Sequence, residues 1–139
     1  MPRRSRAREI ALQVLYQDDL NPRHNPADSD AFIVARIADE PLREFTRTLV
    51  SGVRRNRAEL DAMLDQTAAN WRLARMAATD RNVLRLGAFE IFYTETPPPV
   101  AIDEALELAK RFGSAQSSQF VNGILDRLLQ GKLGKSSAP

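Results

Sequence analysis

The first eight residues contain four arginines and no acidic residue, a cluster that could bind a chain of phosphates. The four are Arg3, Arg4, Arg6 and Arg8. A guanidinium group is planar and always charged, and its fork of N–H donors matches phosphate oxygens. The whole chain carries only +2, so residues 9–139 sum to −2, with 16 basic against 18 acidic side chains. This distribution favours binding of a polyanion at the N-terminal end, although a solvated basic terminus has the same composition.

The other side chains give little support to catalysis or to metal binding. The sequence has no cysteine, which excludes disulfides, thiolate metal sites and a cysteine nucleophile, and His24 is its only histidine. Asp103, Glu104 and Glu107 could act as paired carboxylates, but acidic residues in the first turns of a helix also favour its dipole. We therefore expect no enzymatic activity, no metal and no cofactor.

Length and composition indicate one globular domain. The 139 residues are 43% hydrophobic and 27% charged, which is typical of a folded domain with a sizeable core. No apolar run approaches the roughly 18 residues that a membrane-spanning helix requires, and no hydrophobic segment of a signal peptide follows the basic start. We expect a cytoplasmic protein that does not associate with a membrane.

Helices must position these side chains, because apolar residues recur at helical spacing along almost the whole chain. The pattern predicts an all-α, compact bundle of six or seven helices. We expect one domain over residues 1–132, in two antiparallel, three-helix-like halves that meet near residue 67, and a mobile polar tail over 133–139. The expected helices span about residues 4–19, 29–38, 41–65, 79–93 and 101–112, and a last one starts at Ser114 or Ser117.

Local residue types make further predictions. Thr79 or Asp80 should cap the helix that starts there. Gly113 should end the helix over 101–112, whose apolar side should bury Phe112. Gly123, in the middle of the last helix, should let a neighbouring helix approach closely, since glycine in mid-helix otherwise costs about 1 kcal/mol.

Several separate blocks of the sequence match one family pattern in the same order. Residues 6–16, Arg-Ala-Arg-Glu-Ile-Ala-Leu-Gln-Val-Leu-Tyr, resemble the first helix of the NusB family of transcription antitermination factors. The stretch from Asn70-Trp71-Arg72-Leu73 to 80–86 resembles that family's fifth helix and its approach. The end resembles the family most specifically, in the blocks at 100–105, 109–113, Ser117 and 120–126. Only residues 21–40 and the tail carry no useful match.

The resemblance implies an all-helical fold without catalysis. It also implies binding of the boxA segment of nascent, single-stranded RNA, jointly with NusE, a small-subunit ribosomal protein. In the family, that complex helps the elongating RNA polymerase resist termination, notably on ribosomal RNA operons. A related domain precedes the catalytic part of an rRNA cytosine methyltransferase, but we find no glycine-rich cofactor loop here. The sequence assigns no residues to a NusE-binding face, and a homodimer stays open.

The arm and the resemblance together suggest a set of RNA-binding residues. The set is Arg3, Arg4, Arg6, Arg8, Tyr16, Arg85, Ser117 and Phe120. Tyr16 and Phe120 lie at the margins of apolar stripes. The resemblance implies a stacking role for Tyr16, and Phe120 is placed as a base-stacking ring would be, but each could also pack as a core ring. Arg85 interrupts an apolar stretch and could face RNA or pair with a carboxylate such as Glu90 or Asp103.

The four arginines also predict how strongly the RNA affinity depends on salt. If all of them engage phosphates, the RNA affinity should fall with salt at a log–log slope of about −3. Many family members have an acidic residue where this chain has Gln116, so a negative charge is missing beside the expected RNA path. The alternative function is a helical adaptor or homodimeric interaction module whose arm contributes only solubility.

Overall fold

The structure, a computed structural model, describes residues 3–137 except residue 69, and for residues 3 and 133–137 it describes the backbone alone. Within these residues all regular structure is helical, which confirms the all-α fold. The elements are α1 (Arg3–Leu20), α2 (Pro26–Arg36), α3 (Glu40–Arg55), α4 (Arg57–Thr67), a 3₁₀ turn (Leu73–Arg75), α5 (Ala78–Tyr93), α6 (Pro98–Phe112) and α7 (Ser117–Ser137). None of the described helices is long and apolar enough to cross a membrane.

Helix α5 lies at the centre of the bundle. Every residue from Asn82 to Ile91 is buried, and a helix buried on all sides needs neighbours on all sides. Helices α1, α3, α4, α6 and α7 provide them. The buried apolar residues form one cluster, so the helices of both predicted halves share a core.

The predicted single helix over 41–65 is wrong, because the helix is interrupted at Asn56, between α3 and α4. The Asn56 side chain donates to the carbonyl oxygen of Gly52 at 2.8 Å, and its backbone N–H donates to the same oxygen at 3.0 Å. The side chain thus adds a second donor to a carbonyl that already accepts the regular helical bond, and side-chain bonding of this kind bends helices. The apolar pattern hides the break, since Leu60 and Leu64 in α4 are also fully buried.

The helix ends differ in part from those expected. Helix α5 begins at Ala78 and has no side-chain cap, so Thr79 and Asp80 lie inside its first turn. Helix α6 ends at Phe112 before Gly113, as predicted. A Cβ on Gly113 would lie 2.4 Å from Ser117 Oγ, so this position needs glycine for space. Phe112 was predicted to be buried and is instead exposed.

The glycines inside the helices have two different surroundings. A Cβ on Gly52 in α3 would lie 2.0 Å from Phe89 Cζ, and one on Gly87 would lie 2.8 Å from Leu125 Cδ1. These two glycines let α3 and α7 approach α5. A Cβ on Gly123 would meet no atom of the described residues within 4 Å, so the predicted close helix contact at Gly123 is wrong.

The polar end of the chain begins as a helix. The backbone of α7 stays helical to Ser137, beyond residue 132, where the sequence suggested that the folded domain ends. Residues 138 and 139, the last of the expected tail, lie outside the described residues.

Candidate nucleic-acid interface

The arginine arm forms the first turns of α1. The Arg4 guanidinium lies 4.5 Å from the centroid of the Phe45 ring, and the side chain of Arg4 is exposed. Arg6 is also exposed and pairs with Glu9 one turn later at 3.1 Å. The side chain of Arg3 lies outside the described residues. Arg4 and Arg6 are therefore the described arm residues that a phosphate can reach.

Arg8 points into the protein rather than into solvent. Its Nε and Nη2 donate to the two carboxylate oxygens of Glu90 in α5 at 2.6 and 2.9 Å. The side chains of Arg8 and Glu90 are only 5% and 2% exposed. Glu104 of α6 lies 3.8 Å away as a second carboxylate. The sequence predicted RNA contact for Arg8, whereas the structure gives it an internal role that joins α1, α5 and α6.

Arg85 is buried in a second ion pair. Its Nε and Nη2 donate to Asp61 of α4 at 2.7 and 3.0 Å, and its Nη1 donates to Asn82 and reaches Asp19 at 3.4 Å. Of the two alternatives considered for Arg85, the structure shows the carboxylate pair. Its partners are Asp61 and Asp19 instead of Glu90 or Asp103, because chain folding brings α4 and α1 to this side of α5.

Several side chains donate hydrogen bonds to Asp19 at the end of α1. Arg81 Nε and Asn82 Nδ2 donate to its Oδ2 at 2.7 and 2.9 Å. Burial alone raises the pKa of Asp19, but these hydrogen bonds and the charges of Arg81 and Arg85 outweigh it and hold the pKa below its usual value. Asp19 is thus ionised at neutral pH and ties α1 to α5.

Arg81 also holds the segment between α4 and α5, here called the connector. Its Nη1 donates to the carbonyl oxygens of Leu73 at 3.2 Å and Met76 at 2.9 Å. Asp65 of α4 accepts the backbone N–H of Leu73 at 2.8 Å from the other side. These contacts fix the segment that carries Trp71. Among the described residues, no group of acidic or histidine side chains could hold a metal ion.

Tyr16 lies in an open cavity of about 380 Å³. The cavity is lined by Leu12, Gln13, Tyr16, Gln17, Phe32, Thr79 and Phe112. Three aromatic rings and two carboxamides surround it, and none of the lining residues is charged. Such a lining suits a flat ring that stacks on aromatic side chains and exchanges hydrogen bonds with amides, as an unstacked nucleobase does.

Ser117 and Phe120 lie beyond the loop that follows α6. Ser117 is buried, and its Oγ accepts the backbone N–H of Ser114 at 2.8 Å, which shapes the loop. Phe120 is half-buried and meets Trp71 edge to face, with the ring centroids 5.8 Å apart. Phe112, which lines the Tyr16 cavity, and Phe120, which meets Trp71, lie on either side of this loop in the sequence.

The predicted set of RNA-binding residues thus divides in two. Arg4, Arg6, Tyr16 and Phe120 reach solvent, whereas Arg8, Arg85 and Ser117 are buried. Four accessible residues were missed by sequence reasoning: Phe32, Arg36, Trp71 and Phe112. Arg36 lies 3.5 Å over the ring of Phe32. The sequence contained no signal for this pair, because residues 21–40 match no family block.

Comparison with known proteins places this helical arrangement in a family. The sequence model of the NusB family matches residues 5–130. The chain belongs to the NusB family. A relative from Anaeromyxobacter dehalogenans, named transcription antitermination protein NusB, is 43% identical over 130 residues, which cover 93% of this chain and 92% of the relative. A relative of the same name from Saccharopolyspora erythraea is 43% identical over 133 residues, covering 92% and 87%.

Solved structures of the family have the same fold. T. maritima NusB is 34% identical with a TM-score of 0.81, over 94% of this chain and 92% of that chain. A chain in a crystal structure of antitermination factors NusB and NusE in complex with dsRNA is 26% identical with a TM-score of 0.85, over 94% and 98%. The resemblance drawn from the sequence blocks is therefore confirmed at the level of family and fold.

Proposed function

We propose that this protein is a cytoplasmic, RNA-binding antitermination factor that recognises boxA-type single-stranded RNA together with NusE. In this role it would help the elongating RNA polymerase resist termination, notably on ribosomal RNA operons. Support comes from family membership, from the names of relatives at 43% identity, and from the fold shared with a NusB chain crystallised with NusE and dsRNA. Within this chain, the observation that carries the proposal is the uncharged aromatic cavity on the helix that bears the arginine arm.

The geometry of α1 supports an RNA path along its exposed side. From Arg4 to Tyr16 the helix rises about 18 Å, at about 1.5 Å per residue. From residue 3 to residue 17 its only acidic residue is Glu9. Arg6 and Arg111 both pair with Glu9 and so offset its charge. The arm can bind phosphates at one end of this path while the Tyr16 cavity takes a base at the other.

The buried members of the predicted set have a different part in this proposal. Arg8 and Arg85 fix α1 and α4 against α5, and Ser117 shapes the loop before Phe120. They position the surface without touching RNA. Because Arg8 faces Glu90, at most three arm arginines engage phosphates, and the salt slope that the arm contributes becomes about −2 rather than about −3.

Binding of labelled boxA-type RNA, beside a scrambled RNA, over a salt series with and without NusE tests this function. We expect a preference for boxA that sharpens with NusE. The Arg4→Ala/Arg6→Ala variant should weaken binding and reduce the slope by about 1.4, since each phosphate contact contributes about 0.7. The matched control Arg23→Ala/Arg55→Ala removes the same charge from exposed sites elsewhere and should leave the slope unchanged.

Substitutions of Tyr16 distinguish base stacking from simple electrostatic attraction of the RNA. Tyr16→Ala should lower the affinity for boxA RNA about 5- to 100-fold, whereas Tyr16→Phe should retain it, because stacking needs the ring. Equal, salt-sensitive binding of the wild type to both RNAs, unchanged by NusE, would reject the proposal. The chain would then be better described as a helical adaptor or a homodimeric interaction module.

A further inference from the structure

The indole of Trp71 is the most exposed large apolar side chain in the described part of the protein, at 62%. It meets Phe120 at an interplanar angle of 84°. Whichever of the two rings presents its edge to the other, Phe120 leaves at least one face of the indole uncovered. The connector that carries Trp71 is held by Arg81 and Asp65, so the ring is presented on a fixed segment.

Gly123 lies next to Phe120 on the same side of α7, one turn further along. Glycine costs a helix interior about 1 kcal/mol relative to alanine. In α3 and α5 that cost has a clear reason, because side chains occupy the space where Gly52 and Gly87 would have a Cβ. At Gly123 no described atom occupies that space. Gly123 is half-buried, yet the space where its Cβ would lie is open, and the packing of the described helices does not require glycine there.

Arg127 lies on the same side of α7 as Phe120, since a step of seven residues makes almost two full turns of the helix. Its Nη1 lies 3.4 Å from the carbonyl oxygen of Thr67, beside the connector. Arg127, Arg72 and Arg75 are exposed, and within the described residues none of them forms an ion pair. Asp126 adjoins Arg127 in sequence, but adjacent residues on a helix do not face each other.

We infer that Trp71, Phe120, Gly123 and Arg127, here called the α7 strip, form a second stacking site for single-stranded RNA. A base stacks on the open face of Trp71, the sugar–phosphate backbone crosses α7 through the open space beside Gly123, and Arg127 binds a phosphate. The inference rests on the proposed function and extends its RNA path past the loop after α6. Unpaired cations beside exposed rings favour a nucleic acid over a protein partner at this surface.

The test uses one substitution at two glycines of the same helix. Among the described atoms, none would lie within 4 Å of a Cβ at Gly123 or at Gly131. Gly123→Ala and Gly131→Ala should therefore both raise the Tm, by about 2–4 °C. Only Gly123→Ala should weaken RNA binding, because its methyl group lies between the RNA and the helix backbone. A variant that is more stable yet binds less tightly cannot be explained by a damaged fold.

Three further variants, at Trp71 and Arg127, assign the roles within the strip. Trp71→Ala should lower the affinity about 5- to 100-fold, and Trp71→Phe should restore most of it. Arg127→Ala should reduce the salt slope by about 0.7. With an RNA shortened until it no longer reaches the strip, wild type and Trp71→Ala should bind alike.

The outcomes separate this inference from the proposed function. If the wild type and Tyr16→Ala behave as expected while Gly123→Ala and Trp71→Ala bind every RNA like the wild type, the α7 strip is not an RNA site and the function stands. If these variants lose only NusE binding, the strip is a protein interface and the inference is overturned. If the wild type shows no preference for boxA RNA, the proposed function itself fails.

Discussion

Two arginines that a sequence reader would assign to RNA are, in the folded protein, partners of buried carboxylates. Arg8 and Arg85 are each about 5% exposed and donate two hydrogen bonds to one carboxylate. Residue type and helical spacing cannot reveal these partners, because Glu90 lies 82 residues from Arg8 and Asp61 lies 24 residues from Arg85. Sequence spacing located the arginines, but only the packing of α1 and α4 on α5 decides what they face.

The Arg8–Glu90 pair makes a prediction about stability. Arg8→Ala should lower the free energy of unfolding by about 3–5 kcal/mol, because it leaves the Glu90 carboxylate buried without a partner. Urea unfolding followed by circular dichroism measures this. Arg6→Ala, in an exposed pair of the same helix, should change stability by no more than about 1 kcal/mol.

An apolar replacement of the pair then separates folding from RNA contact. Arg8→Met/Glu90→Leu should recover most of the stability that Arg8→Ala loses, since replacing both partners of a buried pair is often close to neutral. It should also bind RNA like the wild type. A stable double variant with lost RNA binding would show that Arg8 touches RNA after all.

The Asp19 cluster predicts a pH dependence. Its pKa in the folded protein is below the usual value of about 3.9. The stability it contributes is therefore fully present above about pH 4 and is lost as the pH falls through the folded pKa. Asp19→Asn should be less stable than the wild type near neutral pH, and the difference should shrink in acid. Unfolding midpoints measured from about pH 7 to about pH 2 test this, and a constant difference would contradict it.

At the scale of the helices, contact distances at two glycines set how closely α5 is packed. A Cβ on Gly52 would lie 2.0 Å from the ring of Phe89, so α3 can approach α5 only without a side chain there. Gly52→Ala should destabilise the protein by about 1–3 kcal/mol through overpacking, despite the better helix propensity of alanine. The exposed neighbour substitution Ser51→Ala should stay within about 0.5 kcal/mol in the same unfolding experiment.

Helical periodicity predicted most elements, and the errors have physical reasons. The break at Asn56 was missed because the buried positions of α3 and α4 continue one apolar pattern across it. The close contact expected at Gly123 was wrong because glycine alone does not tell whether a neighbouring helix or open space lies beside it. The stacking role of Tyr16 was implied by the family resemblance and stays a prediction. The cavity around Tyr16 was not predicted, since Phe32 and Phe112 reach it from α2 and α6.

At the scale of the whole molecule, the two predicted halves meet on one helix. Helix α5 lies in the second half by sequence, yet it packs on α1, α3 and α4 of the first half as well as on α6 and α7. The accessible candidate residues come from both predicted halves, since α1, α2, the connector, α6 and α7 each contribute some. The RNA surface proposed here therefore depends on the complete bundle.

A helix enclosed in this way governs how the molecule opens. The amide hydrogens of Asn82–Ile91 can exchange with solvent only when the surrounding helices separate from α5, so opening there requires global unfolding. In native-state hydrogen exchange, these amides should have protection free energies close to the global value. Neither 1–66 nor 67–132 should keep its structure as a separate fragment, because each would expose surface that α5 now covers. The protein would then open as a single cooperative unit with no intermediate in which one half stays folded.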